Sequence, residues 1–338
     1  MRSSNVTIKD IAKLLGISPS TVSRALKDHP DISQITKDKV NNLAKEMNYR
    51  PNPVALSLRN RRSNVIGVVI PEIVHYFFSS VISGIEKVAG EHGYSVMFSQ
   101  SDEKYEKEKE VCTTFQHSII DGVLISVSKE TVDFAHLQKF EEGGIPIVFF
   151  DRMIEEFNSD RVIINDYEGA FQATEHLIIE GRRRIVHFAG PKNRLISKNR
   201  LKGYIEAHKK NGVVIDESLV IYCDEFEKAL VETQKIIDSG LRFDAIFTVN
   251  DFTAAGVLKT LQRNGIKVPD DVSVVGFGND YIAEMIEPTL TTVSQPGFTM
   301  GERAMQMLID RINNEKNEPI QTEVLPTKLV VRNSTKPR

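Results

Sequence analysis

The sequence predicts an all-α helix-turn-helix head followed by an α/β body of two doubly wound, parallel-sheet lobes. The chain has 338 residues, which at roughly 150 residues per domain is enough for more than one domain. Three short helical patterns fill the first fifty residues, and from Val65 onward apolar runs alternate with helical patterns. These observations together define the fold class.

Start and stop signals mark the helices of the head. The segment Thr7–Asp10 has the spacing of a capping box, and Gly16 supplies the positive φ of the tight turn that ends the first helix. Ser18 as N-cap and Pro19 at the first helical position begin the second helix. A third is expected over Gln34–Met47. Three short helices with a glycine turn between the first two make a helix-turn-helix.

The second helix carries side chains suited to DNA. Ser20, Thr21 and Ser23 are short and polar, and Arg24 lies one turn later. Short side chains let a helix enter the major groove deeply, and a guanidinium can bond a guanine edge bidentately. The N–H groups of the first turn also point towards phosphate. The alternative is a three-helix bundle that binds protein.

Residues 51–63 are predicted to form a hinge. Prolines at positions 51 and 53 break the third helix, and the segment Val54–Arg59 can restart a short one. About seven residues are too few for a stable isolated helix. We therefore expect a segment that is disordered alone and helical when docked on DNA beside a partner copy.

The charge distribution supports a nucleic-acid-binding head. Residues 1–63 hold 12 Lys and Arg against 5 Asp and Glu, a net charge of +7, and the remaining residues carry a net charge of −10. A basic head on an acidic body is typical of a nucleic-acid-binding domain joined to another function. The overall charge of −3 is therefore a cancellation of two opposite charges.

Several function classes lack the motifs that they require. The longest uncharged stretch, Pro288–Gly301, has 14 residues and two prolines, too short to span a bilayer. No apolar segment typical of a secretory signal follows Met1, so a cytoplasmic location is expected. Walker A, dinucleotide and Gly-x-Ser-x-Gly patterns and metal-spaced histidines are missing from the sequence. We predict no catalytic residue, no metal site and no cofactor.

The head resembles that of LacI/GalR-family transcription regulators in the segments Val6–Ala12, Ser20–Leu26 and Asn48–Asn52. In that family, hinge helices of two subunits pair in the minor groove, and a leucine at the position of Leu58 wedges between base pairs. Leu15 and Ile17 depart from the family pattern at packed sites. The resemblance and the helix pattern together give this set of DNA-binding residues: Thr7, Ser18, Pro19, Ser20, Thr21, Ser23, Arg24, Asn52, Ala55, Leu58 and Arg59.

The body contains more strand candidates than one sheet ordinarily holds, which favours two lobes. The candidates are Val65–Ile70, Ser95–Ser99, Gly122–Ile125, Ile147–Phe150, Val162–Ile164, Ile185–Ala189, Leu219–Tyr222, Ala245–Thr248 and Val274–Phe277. The first lobe is placed near residues 64–164 and 294–321, and the second near 165–293 and 322–338. Helix Thr299–Asn314 is expected to pack on the first lobe, and strands Thr322–Leu325 and Lys328–Val331 to close the chain.

A ligand site is expected between the lobes, because open parallel sheets bind ligands at the carboxyl ends of their strands. Carboxylates, amides and guanidinium groups follow these strands, and they suit sugar hydroxyls, while aromatic faces suit sugar C–H surfaces. A nucleobase could use the same groups, and strand-end caps with salt bridges between lobes are the structural alternative. The candidate effector-binding residues are Tyr76, Phe77, Phe78, Asp151, Arg152, Arg200, Phe226, Asn250, Asp251 and Asp280.

The body also resembles the LacI/GalR effector domain, which is similar to periplasmic sugar-binding proteins. The resemblance rests on Asp151-Arg152, Gly190-Pro191 with Arg200, Asn250-Asp251 and Val272–Phe277, among other segments. It implies that Arg200 grips the effector. Gly278 stands where several family members carry a ligand-binding aspartate, and Phe226 is the nearest candidate for an aromatic stacker near Asp224.

These observations predict a homodimeric, sequence-specific transcription regulator, a repressor, that binds a pseudo-palindromic operator under control of a small-molecule effector. A carbohydrate is the first expectation for that effector and a purine-type metabolite the second. The expected domains are a DNA-binding domain over 1–50, a hinge over 51–63 and an effector-binding and dimerisation domain over 64–338. The rival from another class is a solute-binding or sensory protein without operator function. The residues after Val331 contain no leucine heptad, so no C-terminal coiled coil is expected.

Overall fold

The computed structural model describes residues 6–49, 62–313 and 319–336. The chain forms two compact units whose boundary falls between Ser63 and Asn64. The predicted hinge helix lies outside the described residues, as do the candidate DNA contacts Asn52, Ala55, Leu58 and Arg59.

The N-terminal unit contains helices α1 (Ile8–Leu15), α2 (Pro19–Ala25) and α3 (Gln34–Glu46), which confirms the predicted helix-turn-helix. Asp10 Oδ2 accepts both the backbone N–H of Thr7, at 2.8 Å, and its hydroxyl, at 2.7 Å. Gly16 has φ +64°. Ile11, Val22 and Val40 are fully buried and join the three helices in one small core.

The body consists of alternating strands and helices. In chain order they are β1 (Val65–Ile70), α4 (Tyr76–Glu91), β2 (Ser95–Gln100), α5 (Tyr105–His117), β3 (Gly122–Ile125), α6 (Ala135–Glu142), β4 (Ile147–Phe150), β5 (Asp160–Ile164), α7 (Asp166–Ile179), β6 (Ile185–Ala189), α8 (Leu195–Lys210), β7 (Val220–Tyr222), α9 (Phe226–Asp238), β8 (Ala245–Thr248), α10 (Asp251–Arg263), β9 (Ser273–Gly278), α11 (Ile282–Met285), β10 (Thr291–Ser294), α12 (Gly297–Asn313), β11 (Thr322–Leu325) and β12 (Lys328–Val330).

Two sheets are formed by the strands of the described residues. The first sheet has the order β11-β5-β4-β3-β1-β2 and is parallel throughout. The second has the order β12-β10-β9-β8-β6-β7, with only β12 antiparallel to its neighbour. The predicted two-lobed α/β fold is thereby confirmed, including every strand candidate to within two residues.

Two details of the predicted lobes are wrong. Residues 322–325 were assigned to the second lobe, but β11 pairs with β5 of the first sheet, in the register Thr322 opposite Arg161. Asp160 holds the start of β11 beside β5, since its carboxylate accepts the backbone N–H of Gln321 at 2.8 Å. Strand β10 was not predicted as a strand, because threonines fill its buried positions in place of an apolar run.

Helix α12 packs on the first lobe, as predicted, and it meets α4 at two glycines. A Cβ on Gly84 would lie 2.1 Å from the carbonyl oxygen of Phe298, and one on Gly301 would lie 2.0 Å from that of Val81. The two helix backbones are therefore in contact at this crossing. Apolar side chains of α12 such as Met305 and Leu308 are fully buried beside it.

Candidate functional site

The expected recognition surface is the exposed side of α2 in the N-terminal unit. Pro19, Ser20 and Arg24 are exposed, and Thr21 and Ser23 are half-buried. Ser18 Oγ accepts the backbone N–H of Thr21 at 3.1 Å, so it serves as the predicted N-cap. Thr7, by contrast, directs its hydroxyl to Asp10, and its predicted part in DNA binding remains a prediction.

A buried lysine fixes the turn that leaves α2, and sequence reasoning missed it. Lys37 Nζ lies 2.7 Å from Asp28 Oδ1 and donates to the Asp28 carbonyl oxygen at 3.2 Å. Asp28 has φ +54°, a left-handed conformation. Because both contacts hold this residue, they set how α2 connects to α3.

The body contains a cavity of about 830 Å³ between its two sheets. It is lined by residues that follow the carboxyl ends of strands in both lobes, where parallel sheets place their ligands. Nine of the ten candidate effector residues line it. They are Phe77, Phe78, Asp151, Arg152, Arg200, Phe226, Asn250, Asp251 and Asp280.

Tyr76, the tenth candidate, does not line the cavity. Its ring packs on Tyr281 of the second lobe with centroids 4.1 Å apart, and its backbone N–H donates to Asp280 Oδ2 at 3.2 Å. It therefore joins the two lobes beside the cavity. A second contact between lobes is the ion pair of Lys129 Nζ with Glu225 Oε1 at 3.1 Å.

Arg200 is held rigidly in the cavity wall. Its Nε and Nη2 contact Asp166 Oδ1 at 2.8 and 2.7 Å, and its Nη1 donates to the Val249 carbonyl at 2.6 Å. The guanidinium also lies 3.7 Å from the centre of the Phe277 ring. A guanidinium has five N–H groups, more than the three contacts that Arg200 makes here, so this residue keeps donor capacity for a ligand in the cavity that it lines.

Arg152 is paired with a different carboxylate. Its Nη1 donates to both oxygens of Glu103 at 2.8 Å, and Glu103 Oε2 also accepts the backbone N–H of Lys129 at 2.7 Å. Asp151, the preceding residue, has φ +60° and is buried. Burial raises the pKa of Asp151 to about 6, against the opposing effect of the Arg152 charge.

Asn250 and Asp251 line the cavity but already have protein partners. Asn250 Oδ1 caps α10 through the Thr253 N–H, and its amide donates to the Asp224 carbonyl, both at 2.8 Å. Asp251 accepts from the Thr292 hydroxyl at 2.6 Å and from the backbone N–H of Asp280 at 2.8 Å. Burial raises the pKa of Asp251 to about 6.

The position of Asp251 explains the two glycines at the end of β9. A Cβ on Gly276 would lie 2.2 Å from Asp251 Oδ1. Gly278 has φ +138°, which side-chain-bearing residues rarely adopt, and its Cβ would lie 3.3 Å from Asp251 Oδ2. The Asp251 carboxylate of α10 therefore lies against the backbone of both glycines.

Sequence reasoning missed Arg194, a half-buried residue that lines the cavity and whose Nε and Nη2 atoms are buried. Its position could have indicated this role, because Arg194 lies in the loop after β6, a strand of the second sheet, and shortly before Arg200. Within the described residues, no group of three His, Cys, Asp or Glu side chains could hold a metal ion. No helix in the same residues is long and apolar enough to cross a membrane.

A helix-turn-helix unit together with a two-lobed, cavity-bearing body defines the class of transcription regulators with an effector-binding domain. Residues 7–52 match the model of bacterial regulatory proteins of the lacI family, and residues 174–335 match a periplasmic binding protein-like domain. The chain belongs to the LacI family of transcription regulators.

Relatives and solved structures cover almost the whole chain. It is 35% identical to the ribose operon repressor of Halalkalibacterium halodurans, over 98% of this chain and 97% of that protein. It is 32% identical to the transcriptional repressor PurR of Vibrio atlanticus, over 98% of each. The lac repressor dimer bound to operator and the anti-inducer ONPF has a TM-score of 0.85 against this chain, with 25% identity over 98% of this chain and 99% of that one. The regulator CelR in complex with cellobiose is 31% identical, with a TM-score of 0.75 over 98% of this chain and 100% of that one.

Proposed function

We propose that this regulator is a homodimeric repressor whose operator affinity is set by a carbohydrate bound in the cavity between the lobes. Residues 1–50 form its DNA-binding domain, 51–63 its hinge and 64–338 its effector-binding and dimerisation domain. It acts in the cytoplasm and uses no catalytic residue or cofactor. The observation that carries the proposal is the cavity of about 830 Å³ lined by Arg200, whose five N–H groups outnumber its three protein contacts.

The chemistry of the cavity wall favours a polyhydroxylated ligand. Phe226, Phe77 and Phe78 provide apolar faces for sugar C–H groups. Asp151 and Arg200 offer an acceptor and a donor, the combination that a hydroxyl satisfies with its own donor and acceptor. A ribose-bound LacI-family regulator of Enterococcus faecium, 27% identical with a TM-score of 0.70 over 81% of this chain and 99% of that one, supports the same ligand class.

A purine-type metabolite is the second candidate. A planar base could stack on Phe226 and accept from the free N–H groups of Arg200. A sugar has hydroxyl groups that could donate to Asp151, whereas a nucleobase has none. Substitution of Asp151 by Asn should therefore weaken a sugar more than a base.

Dimerisation is supported by the edge of the first sheet. Met97 and Phe98 lie on the edge strand β2 and are 43% and 49% exposed. Exposed apolar side chains on a sheet edge favour association with another chain. A second copy that covers this edge would place two DNA-binding units for the two half-sites of a pseudo-palindrome, about one helical turn apart.

Effector binding would then act on DNA through the lobes. Closure of the cavity shifts the dimer contacts of the first lobe, and those contacts set the spacing of the two hinges. Such coupling is typically about 1–3 kcal/mol and is reciprocal, so operator DNA must change effector affinity by the same factor.

The test combines a ligand screen with DNA binding. A thermal-shift screen of sugars and nucleobases should reveal the effector, because a ligand at 100 times its Kd adds about 2.7 kcal/mol of stability. Its affinity is then measured by calorimetry for free protein and for protein saturated with an operator selected from genomic DNA. Equal affinities in the two states would contradict the proposed coupling.

Two controls separate the rival functions. A chain that binds the ligand but retards no genomic fragment in a gel shift is a solute-binding or sensory protein. Chemical turnover of the bound sugar would identify an enzyme instead. Arg200→Met should abolish the response of operator binding to the ligand. Lys198→Ala is its matched control, because Lys198 is exposed on the same helix and outside the cavity wall.

A further inference from the structure

Arg194 lines the cavity with a guanidinium group that lacks a full set of partners within the described residues. It is the N-cap residue of α8, and its Nε and Nη2 atoms are buried with no hydrogen-bond acceptor. Arg152 and Arg200, the other two arginines of the wall, each have a carboxylate at 2.8 Å or less. A buried donor left unpaired costs free energy, and more so when it is charged. The cavity wall therefore lacks a hydrogen-bond acceptor for these two nitrogen atoms of Arg194.

The surroundings of Arg194 do not supply the missing negative charge. Burial lowers the pKa of Arg194, and the charge of Arg152 lowers it further, so the two guanidinium groups repel each other. Glu103 opposes this effect, but its oxygens already accept from Arg152 and from Lys129. Glu108, also in electrostatic range, is bonded to the Thr131 hydroxyl and the imidazole of His136. Asp151 Oδ2 lies 3.9 Å from Arg152 Nε, and burial raises the pKa of this carboxyl group to about 6. When Asp151 is protonated, Arg194, Arg152 and Glu103 together carry one positive charge.

The repulsion acts across the cleft. Arg194 belongs to the second lobe and Arg152 to the first, so closing the cavity brings two cations together. A neutral hydroxyl or keto oxygen would accept from Arg194 but leave this repulsion in place. An anionic oxygen group would satisfy the donors and balance the charge. Guanidinium groups bind carboxylates and phosphates in a bidentate, charge-assisted manner.

We propose that the effector carries an anionic oxygen group, a phosphate or a carboxylate, which lies between Arg194 and Arg152 and bridges the two lobes. This inference rests on the proposed function of the cavity as the effector site. The rest of the wall fixes the orientation, because Asp224, Glu225 and Glu227 line it and repel an anion placed elsewhere. The hydroxyl-bearing part of the effector then faces Arg200.

The experiment measures binding to the full-length protein by calorimetry with three sets of probes. Ribose 5-phosphate and glucose 6-phosphate test the phosphate source, glucuronate and gluconate test the carboxylate source, and ribose and glucose are neutral parents. We expect one anionic set to bind at least about tenfold more tightly than its neutral parents, since a charge-assisted hydrogen bond contributes about 1.5–3 kcal/mol.

Variants assign that preference to Arg194. Arg194→Gln should reduce the affinity for the anionic probe by about 10- to 100-fold. Arg194→Lys keeps the positive charge but not the paired N–H groups of a guanidinium, so its affinity should fall less. Lys198→Gln removes one exposed positive charge from the same helix and should leave the affinity unchanged. Without ligand, Arg194→Gln should unfold at the same temperature as the parent or higher, whereas a structural arginine would leave a less stable protein.

Other outcomes overturn the inference. Neutral sugars or neutral nucleobases that bind as tightly as any anionic probe, with no loss in Arg194→Gln, would show that the effector has no anionic group. In that case the cavity would still be an effector site. If no probe of any charge binds or changes operator affinity, the proposed function of the cavity falls, and the inference falls with it.

Discussion

Arg200→Met should make the stability of the body strongly dependent on pH. Arg200 and Asp166 have side chains only 7% and 6% exposed, and their atoms lie 2.7 Å apart. The substitution keeps an apolar stem of similar length but leaves the Asp166 carboxylate buried without its counter-ion. Breaking a buried pair in this way costs about 3–5 kcal/mol at neutral pH.

The pH dependence follows from the proton that Asp166 then binds. Burial already raises the pKa of Asp166, and the charge of Arg200 opposes this rise. Without Arg200 the folded protein holds a proton on Asp166 that the unfolded chain, with a pKa near 3.9, releases. Stability is therefore retained at low pH and lost as the pH rises towards the folded pKa, by about 1.4 kcal/mol per pH unit.

Urea unfolding followed by circular dichroism at pH 5, 6 and 7 tests this reasoning. Between pH 7 and pH 5 the variant should recover stability relative to the parent protein, by at most about 1.4 kcal/mol per pH unit. Asp166→Asn combined with Arg200→Met should restore most of the loss at pH 7, because no unpaired buried charge remains. A loss that is equal at pH 5 and pH 7, or a double variant no more stable than Arg200→Met, would refute it.

Three further predictions concern packing, a second carboxyl group and the head. Gly84→Ala should destabilise the first lobe by about 1–3 kcal/mol or more in urea unfolding, because the added Cβ collides with α12. Gly90→Ala on the same helix is the control: its Cβ enters open space, and it should stabilise the lobe by about 0.5–1 kcal/mol. Burial raises the pKa of Asp251 to about 6, so this residue contributes stability that is lost as the pH rises from 4 to 6. Asp251→Asn should therefore reduce the change of unfolding free energy with pH by up to about 1.4 kcal/mol per pH unit. An unchanged pH dependence would contradict the raised pKa of Asp251. Arg24→Ala should lower the discrimination between operator and random DNA by about 1–3 kcal/mol, as measured by fluorescence anisotropy. Arg61 lies in the predicted hinge over 51–63, and Arg61→Ala should weaken binding to all DNA and reduce the slope of log affinity against log salt concentration by about one. Equal losses on operator and random DNA for Arg24→Ala would count against base readout.

Sequence reasoning recovered the fold because its signals are local. Capping residues and a glycine turn mark the helices of the head, and apolar runs mark most strands of the body. Strand β10 escaped because Thr291 and Thr292 are polar residues whose hydroxyls find buried partners only in the folded sheet. The assignment of β11 to the first sheet likewise depends on a long-range pairing with β5.

The candidate site was predictable in place but not in detail. Strand-end positions identified nine of its residues, because parallel sheets gather those positions at one edge. Nothing in the sequence shows that Arg200 pairs with Asp166, or that Arg194 remains unpaired. Tyr76 was misplaced for the same reason, since its ring contact with Tyr281 joins residues about 200 positions apart.

The return of α12 and β11 to the first lobe sets the order in which the chain can complete its parts during synthesis. The second sheet receives five of its strands from the continuous segment 185–294 and only its edge strand β12 from later in the chain. The first lobe must wait for residues 297–325 to cover α4 and pair with β5. Until these residues leave the ribosome, the apolar face of α4 and the edge of β5 remain uncovered. We therefore expect a ribosome stalled before residue 297 to yield a product prone to aggregate.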